Sequence, residues 1–89
     1  MYTLHVRLYS RAGCQLCETA LLQIEALRDD YEFLVEEVDI DEDPALKERL
    51  SDHIPVVTVD GGNRATNPIT DEKLRRAFSK SLKARQAPF

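Results

Sequence analysis

The two cysteines of this 89-residue chain stand three positions apart, in the segment Cys14-Gln15-Leu16-Cys17. An alternating apolar run, Leu4 to Tyr9, precedes them, Gly13 supplies a turn residue, and a helical pattern begins about where the motif does. Two thiols at the junction of a strand and a helix are typical of reversible disulfide chemistry. A loop closed by two intervening residues restricts the unfolded chain little, so we expect a redox pair and not a structural staple.

The position of each cysteine on the predicted helix assigns it a role. Residues three apart on a helix have Cβ atoms about 5–6 Å apart, so a small adjustment allows a disulfide. Cys14 precedes the first helical turn, where unpaired N–H groups and the helix dipole favour a thiolate. We expect Cys14 to attack, with a pKa of roughly 3.5–7.5 instead of about 8.5, and the shielded Cys17 to resolve the mixed disulfide. The alternative for the pair is two small apolar core residues.

Composition limits the other functions of the chain. Apolar residues at 43% and charged residues at 31% describe one globular domain. The sequence contains no apolar run near about 18 residues and no signal-peptide pattern, so we expect a cytoplasmic monomer without a membrane partner. The net charge of −4 and basic residues without interleaved aromatics argue against nucleic acid. Residues 29–43 hold nine acids and no Lys or Arg, a charge asymmetry that either steers charged partners or reflects solvated surfaces.

Hydrophobic periodicity and turn residues predict four strands and three helices, with a hairpin turn between the last two strands. The predicted elements are a strand at 2–9, a helix from the motif to about residue 28, a strand at 32–40, a helix from Pro44 to about residue 51 with Asp43 as its cap, a strand at 56–59, a hairpin turn at 60–63, an edge strand at 64–66 and a helix capped by Thr70. The helix positions expected to face the core are Cys17, Ala20, Leu21, Ile24, Leu27, Leu46, Leu50, Leu74, Ala77, Phe78 and Leu82.

The order β-α-β-α-β-β-α predicts an α/β fold with a four-stranded mixed sheet flanked by helices. A right-handed crossover makes the first two strands parallel, and the last two strands form an antiparallel hairpin. We expect residues 1–83 to form the domain and residues 84–89 to be a frayed tail.

The CxxC motif after the first strand and Ile54-Pro55-Val56 at the start of the third resemble the thioredoxin superfamily, most closely the short glutaredoxin-like proteins. The resemblance covers about residues 3–82. It implies a thioredoxin-like fold, dithiol reduction of protein or small-molecule disulfides, a cis bond before Pro55 and backbone pairing of Ile54 with an extended substrate. The alternative for Pro55 is a trans proline that begins an ordinary strand. The expected substrate contacts are Arg11, Gln15, Leu16, Ile54 and Pro55.

Two stretches depart from the family pattern. Gln15-Leu16 replaces the Pro-Tyr of glutaredoxins or the Gly-Pro of thioredoxins, which removes a rigid helix start. Residues 67–71 replace the glycine-rich turn that holds a glutathione carboxylate in glutaredoxins, and Pro68 lacks a donor N–H. Asp71 and Glu72 add negative charge there, which Arg75 and Arg76 partly offset. We expect no bound cofactor and poor reduction by glutathione, and the electron donor is left open between glutathione and a reductase.

Several residues admit two interpretations. Arg11 is either a cationic neighbour of the Cys14 thiolate or a solvated loop residue, and His53 is either a proton shuttle or an exposed loop residue. A metal site is not expected, because zinc would need two ligands beyond the cysteines and the two histidines lack finger spacing. The acidic segment 39–43 is interpreted as a strand end that runs into a helix cap. The second functional hypothesis is a non-catalytic thioredoxin-fold module that binds a partner or metal through its cysteines.

Overall fold

A computed structural model describes residues 3–86 of the chain. Its elements are β1 (Leu4–Ser10), α1 (Gln15–Glu25), β2 (Phe33–Asp39), a 3-10 turn (Ile40–Glu42), α2 (Pro44–Leu50), β3 (Val56–Val59), β4 (Asn63–Thr66) and α3 (Asp71–Gln86). The predicted element order and the α/β fold class are confirmed. The 3-10 turn between β2 and α2 was not predicted. Asp39 caps this turn by accepting the Asp41 N–H at 2.9 Å.

The four strands form one mixed sheet in the order β2-β1-β3-β4. Strand β1 is parallel to β2 and antiparallel to β3, and β3 is antiparallel to β4. The β1–β2 pairing follows from the crossover through α1, and the β3–β4 pairing from a short turn. Tyr9 at the end of β1 lies opposite Val56 at the start of β3. The segments that carry Cys14 and Pro55 therefore lie at the same end of the sheet.

The hydrophobic core lies between one face of the sheet and the helices α1 and α3. Its fully buried strand and helix residues include Leu4, Val6, Leu8, Ala20, Ile24, Val57, Val59, Leu74, Ala77 and Phe78. Alternate residues of β1 and β3 point to this face because side chains alternate along a strand. Helix α2 contributes no buried residue, so the prediction that Leu46 and Leu50 are buried is wrong; both are half-buried.

Helix α1 ends earlier than predicted. Its last residue is Glu25, and the chain then turns, with the Leu27 N–H donating to Ile24 O at 3.0 Å. Arg28 bonds Glu25 and donates to Phe33 O at 2.9 Å, so this side chain ties the turn to the start of β2. Leu27 remains fully buried, because the turn keeps it on the core side after the helix has ended.

Helix α3 extends further than predicted. It runs to Gln86, three residues beyond the predicted domain boundary at residue 83, and residues 87–89 of the predicted tail lie outside the described part. Arg85 donates two hydrogen bonds to Asp60, at 2.8 and 2.9 Å, and this pair holds the last turn against the β3–β4 hairpin. No helix within residues 3–86 has the length and hydropathy to cross a membrane.

Candidate active site

Cys14 occupies the N-cap position of α1. Its backbone is extended, with φ −88° and ψ 102°, and its Sγ accepts a hydrogen bond from the Cys17 N–H at 3.2 Å. Gly13, with φ +75°, makes the turn before it, a conformation that costs an L side chain energy. The Cys14 N–H donates to Arg11 O at 3.3 Å, which closes the turn. The local sequence thus places a sulfur where an N-cap oxygen usually stands.

Cys14 and Cys17 are joined as a disulfide, with their Cα atoms 5.2 Å apart. Cys17 lies one turn inside α1 and is buried, whereas Cys14 is half-buried at the helix start. An external thiol or disulfide therefore reaches the Cys14 sulfur more readily than that of Cys17. This difference in access supports the predicted order of roles.

Arg11 is bonded to an acidic partner. Its guanidinium donates to the two carboxylate oxygens of Asp41, at 2.6 and 3.2 Å, and to Ser51 Oγ at 3.4 Å. Hydrogen bonding to Arg11 lowers the pKa of Asp41 below its usual value. The pair joins the loop before Cys14 to the 3-10 turn. The sequence predicted that Arg11 either neighbours the Cys14 thiolate or is a solvated loop residue. The structure shows an ion pair with Asp41, which lies thirty positions away in the sequence.

The Ile54–Pro55 peptide bond is cis, and so is the Asn67–Pro68 bond. Pro55 is fully buried and Ile54 is half-buried, just before β3. The Ile54 N–H donates to Leu50 O at 3.1 Å, so the end of α2 fixes this segment. His53, the other residue considered near this position, is exposed.

The two residues between the cysteines face solvent. Gln15 is exposed, and 60% of Leu16 is accessible. An apolar side chain is thus exposed at the position between the two cysteines in the sequence. Of the residues predicted for the site, Arg11, Cys14, Gln15 and Leu16 lie together at the start of α1.

An open groove of about 570 Å³ runs beside the cysteine pair, between α1 and the end of β2. Its lining residues are Ser10, Arg11, Ala12, Gly13, Cys14, Cys17, Glu18, Leu21, Leu22, Glu37 and Asp39. Sequence reasoning did not assign Glu18, Glu37 or Asp39 to the site. The acidic excess over residues 29–43 was the available signal, but only the parallel pairing of β1 and β2 shows that part of it reaches the cysteines.

The charges at the start of α3 are paired. Asp71 accepts from Arg75 at 2.8 Å, and Glu72 accepts from Arg76 at 3.0 Å. Arg75 also donates to Asp30 at 2.8 Å, and hydrogen bonds to these two acids raise its pKa, that with Asp30 foremost. The acids that were expected to repel a glutathione carboxylate therefore have cationic partners in the folded chain.

Metal-ligating side chains are dispersed in the described part of the chain. Within residues 3–86, no three His, Cys, Asp or Glu side chains converge to hold an ion. A metal bound through Cys14 and Cys17 would need further ligands from outside those residues.

Comparison with known proteins gives concordant results. The sequence pattern of the family described as Glutaredoxin-like domain (DUF836) matches residues 5–79. Uncharacterized protein Rv0508 of Mycobacterium tuberculosis H37Rv is 28% identical over 81 residues, which cover 85% of this chain and 84% of that protein.

Two solved structures illustrate the fold match. Protein XcR50 of X. campestris is 30% identical, covers 93% of this chain and 99% of its own, and has a TM-score of 0.66. A mutant thioredoxin of Halobacterium salinarum NRC-1 has a TM-score of 0.67 at 17% identity, covering 86% of this chain and 73% of its own, and shows the shared fold alone.

Proposed function

Because the chain belongs to the glutaredoxin-like domain family, we propose that it is a thiol-disulfide oxidoreductase that reduces disulfides through Cys14 and Cys17. The supporting observation is the Cys14 sulfur at the N-cap of α1, 3.2 Å from the Cys17 N–H, with Cys17 buried behind it. A thioredoxin-like fold with a disulfide at this position is a redox-type architecture. The unpaired N–H groups and the dipole at the helix start favour a thiolate at Cys14 in the reduced protein.

The proposed reaction is two successive thiol-disulfide exchanges. The Cys14 thiolate attacks one sulfur of the substrate disulfide, forms a mixed disulfide and expels the other sulfur as a thiolate. Cys17, after losing its proton to solvent, attacks the Cys14 sulfur and expels the second substrate thiolate. Two electrons pass from the dithiol to the substrate, the two product thiolates take up protons according to pH, and the protein is left with the Cys14–Cys17 disulfide. An external thiol or a reductase then returns it to the dithiol.

The residues around the pair have supporting roles in this proposal. Ile54 and Pro55 lie at the same end of the sheet as Cys14, and the backbone of Ile54 is proposed to align an extended substrate. Gln15 and Leu16 contact the substrate from the exposed rim. Arg11 holds the loop before Cys14 through its ion pair with Asp41.

Alkylation of the reduced protein tests the assignment of roles. Iodoacetamide should modify Cys14 well below pH 8 and much faster than Cys17, because the helix start favours the Cys14 thiolate and the core shields Cys17. Mass spectrometry of peptides from a pH series measures both rates. If Cys17 reacts faster, the roles are wrong, and if both thiols are inert, the non-catalytic binding module is the better hypothesis.

A coupled assay identifies the electron donor. Reduction of a small disulfide is measured with glutathione and glutathione reductase, and in parallel with thioredoxin reductase. We expect weak turnover with glutathione, because Pro68 offers no N–H to its carboxylate and residues 67–71 lack the glycine-rich turn. Glutathione turnover equal to that of a typical dithiol glutaredoxin would show that these departures have no effect on the reaction.

A further inference from the structure

We propose that the Cys14–Cys17 pair selects disulfides in protein segments that carry a lysine or arginine beside the reacting cysteine. The selection comes from the acidic groove along the pair, and the inference rests on the proposed oxidoreductase function. The groove determines only which disulfides react, because the thiol-disulfide exchange and its two-electron balance stay the same. Backbone pairing of a substrate with Ile54 gives no preference for charge, whereas the acidic groove favours cationic substrates.

Three carboxylates line the groove beside the cysteines. Glu18 comes from the first turn of α1, and Glu37 and Asp39 come from the end of β2. Within residues 3–86, none of the three accepts a hydrogen bond from a cationic side chain; Asp39 accepts only the Asp41 N–H. Asp39 interacts electrostatically with Arg11, whereas Glu18 and Glu37 have no cationic partner within residues 3–86, so the charge of these two glutamates acts on whatever enters the groove.

The cation at the groove is already neutralised. Among the described residues that line it, Arg11 alone is positively charged, and it is held by Asp41 at 2.6 Å. An ion pair of this kind has little charge to offer a third group, so the groove remains net negative. A second groove, lined by Arg64, Lys73, Arg76 and Lys80, lies between β4 and α3 and includes neither cysteine. The charge distribution thus directs cations, and not anions, toward the reacting sulfur.

Exposed leucines indicate that the occupant is a peptide segment and not a small cation. Leu22 lines the groove and is 71% exposed, Leu21 beside it is half-buried, and Leu16 between the cysteines is 60% exposed. These side chains offer apolar contact to residues that flank a cysteine, while the carboxylates bind a flanking cation. A substrate with both features gains affinity at this site, whereas the anionic glutathione disulfide is repelled.

The test uses peptide disulfides that differ in one charge. Three short peptides are identical except that the residue before the cysteine is lysine, glutamine or glutamate, and each is used as its disulfide-linked dimer. The second-order rate constant for reduction by the fully reduced protein is measured by acid quench and chromatography. Each value is divided by the rate of the same dimer with dithiothreitol, which removes the intrinsic preference of thiolates for cationic disulfides.

We expect the normalised rate for the lysine dimer to exceed that for the glutamate dimer about tenfold at low salt. The ratio should fall toward one in 1 M salt, where the screening length is about 3 Å. The double variant Glu18→Gln/Glu37→Gln should reduce the low-salt ratio to about twofold or less. The matched control Asp29→Asn/Glu32→Gln makes the same change in net charge at the opposite end of β2 and should leave the ratio near its original value.

Each outcome has a distinct meaning. A lysine-to-glutamate ratio near one at low salt, with the glutamine dimer reduced rapidly, overturns the selectivity and leaves the oxidoreductase function intact. If the lysine-to-glutamate ratio falls equally in the groove variant and in the control variant, the selectivity is an effect of net charge and the groove is not its source. If the glutamine dimer reacts no faster than with a free thiol, the proposed function fails, and the substrate inference fails with it.

Discussion

At the hairpin end of the sheet Asp60 is paired with Arg85, whereas at the cysteine end Glu18, Glu37, Leu16 and Leu22 are exposed. Asp60, at the turn after β3, accepts the His5 N–H at 3.0 Å and two hydrogen bonds from Arg85. Ser81 accepts from Asn63 Nδ2 at 2.8 Å and donates to Val59 O at 3.3 Å. Strand, turn and helix are thus joined by hydrogen bonds at this end.

The same end also contains the aromatic cluster. The ring of Phe78 packs edge-on against Tyr31 and Phe33, with centroids 5.1 and 5.2 Å apart. Arg28 lies over the Phe33 ring at 4.4 Å from its centroid. Such contacts add about 0.5–1.5 kcal/mol each to the area that they bury.

At the cysteine end, groups near Cys14 are exposed or lack a cationic partner. Leu16 and Leu22 are exposed, and Glu18 and Glu37 have no cationic partner within residues 3–86. Ion pairing there is confined to the loop, through Arg11 and Asp41. Hydrogen bonds thus join strand, turn and helix at the hairpin end, while the groups near the cysteines remain exposed.

The largest effect should follow from Cys14→Ser, which separates activity from stability at the cysteine end. Turnover should fall to the uncatalysed background, because the attacking sulfur is gone. The free energy of unfolding should stay within about 0.5 kcal/mol of the reduced wild type, because serine is a good N-cap. The measurements are the coupled assay and urea unfolding under reducing conditions. Residual turnover would show that Cys14 is not the attacking residue.

The next effect should come from Phe78→Ala at the hairpin end. The variant should lose about 3–5 kcal/mol of unfolding free energy, because a fully buried ring leaves a cavity. Leu22→Ala, the control at the exposed cysteine end, should change it by about 0.5 kcal/mol or less. Urea unfolding measures the free energy of both variants. If Phe78→Ala does not fold, the milder substitution Phe78→Leu replaces it. Equal losses for Leu22 and Phe78 would contradict the contrast between the two ends.

The smallest effect should come from Asp60→Asn. Burial raises the pKa of Asp60, but hydrogen bonds from Arg85 and the His5 N–H outweigh it and hold this pKa below its usual value. A lowered pKa means that the charged form stabilises the fold above the unfolded-state pKa, and that this contribution disappears as the pH falls through the folded-state pKa. The variant should lose about 1–2 kcal/mol at pH 7, a difference that shrinks below about pH 4.

The asparagine of this variant keeps the backbone conformation, since asparagine tolerates the positive φ of 55° found at Asp60. The matched control is Asp52→Asn, an exposed acid near the cysteine end with no side-chain hydrogen bond among the described residues. This control substitution should change the free energy of unfolding by about 0.5 kcal/mol or less at pH 7. A loss at pH 7 that persists at pH 2 would show that charge at Asp60 is not the cause.

Much of the local structure could be predicted from the sequence, because it depends on neighbours a few positions apart. Asp43 caps α2 by accepting the Ala45 N–H at 3.0 Å, and Thr70 caps α3 by accepting the Lys73 N–H at 3.1 Å, as their positions indicated. The same reasoning placed Cys14 at the start of α1. Each of these features is set by a side chain and a backbone group within three residues, so periodicity and cap chemistry are sufficient.

Pairings between distant elements could not be predicted in this way. Arg11 meets Asp41, Arg85 meets Asp60 and so extends α3 to Gln86, and Glu18 shares a groove with Glu37. Periodicity tells which face of an element is apolar, but not which residue of a distant element lies opposite a given side chain. That depends on strand register and on the docking of each helix, which the hydrophobic core fixes only when the whole chain is packed. Local chemistry along the chain therefore specifies the cysteine pair and its helix, whereas the packed fold specifies which charges surround them.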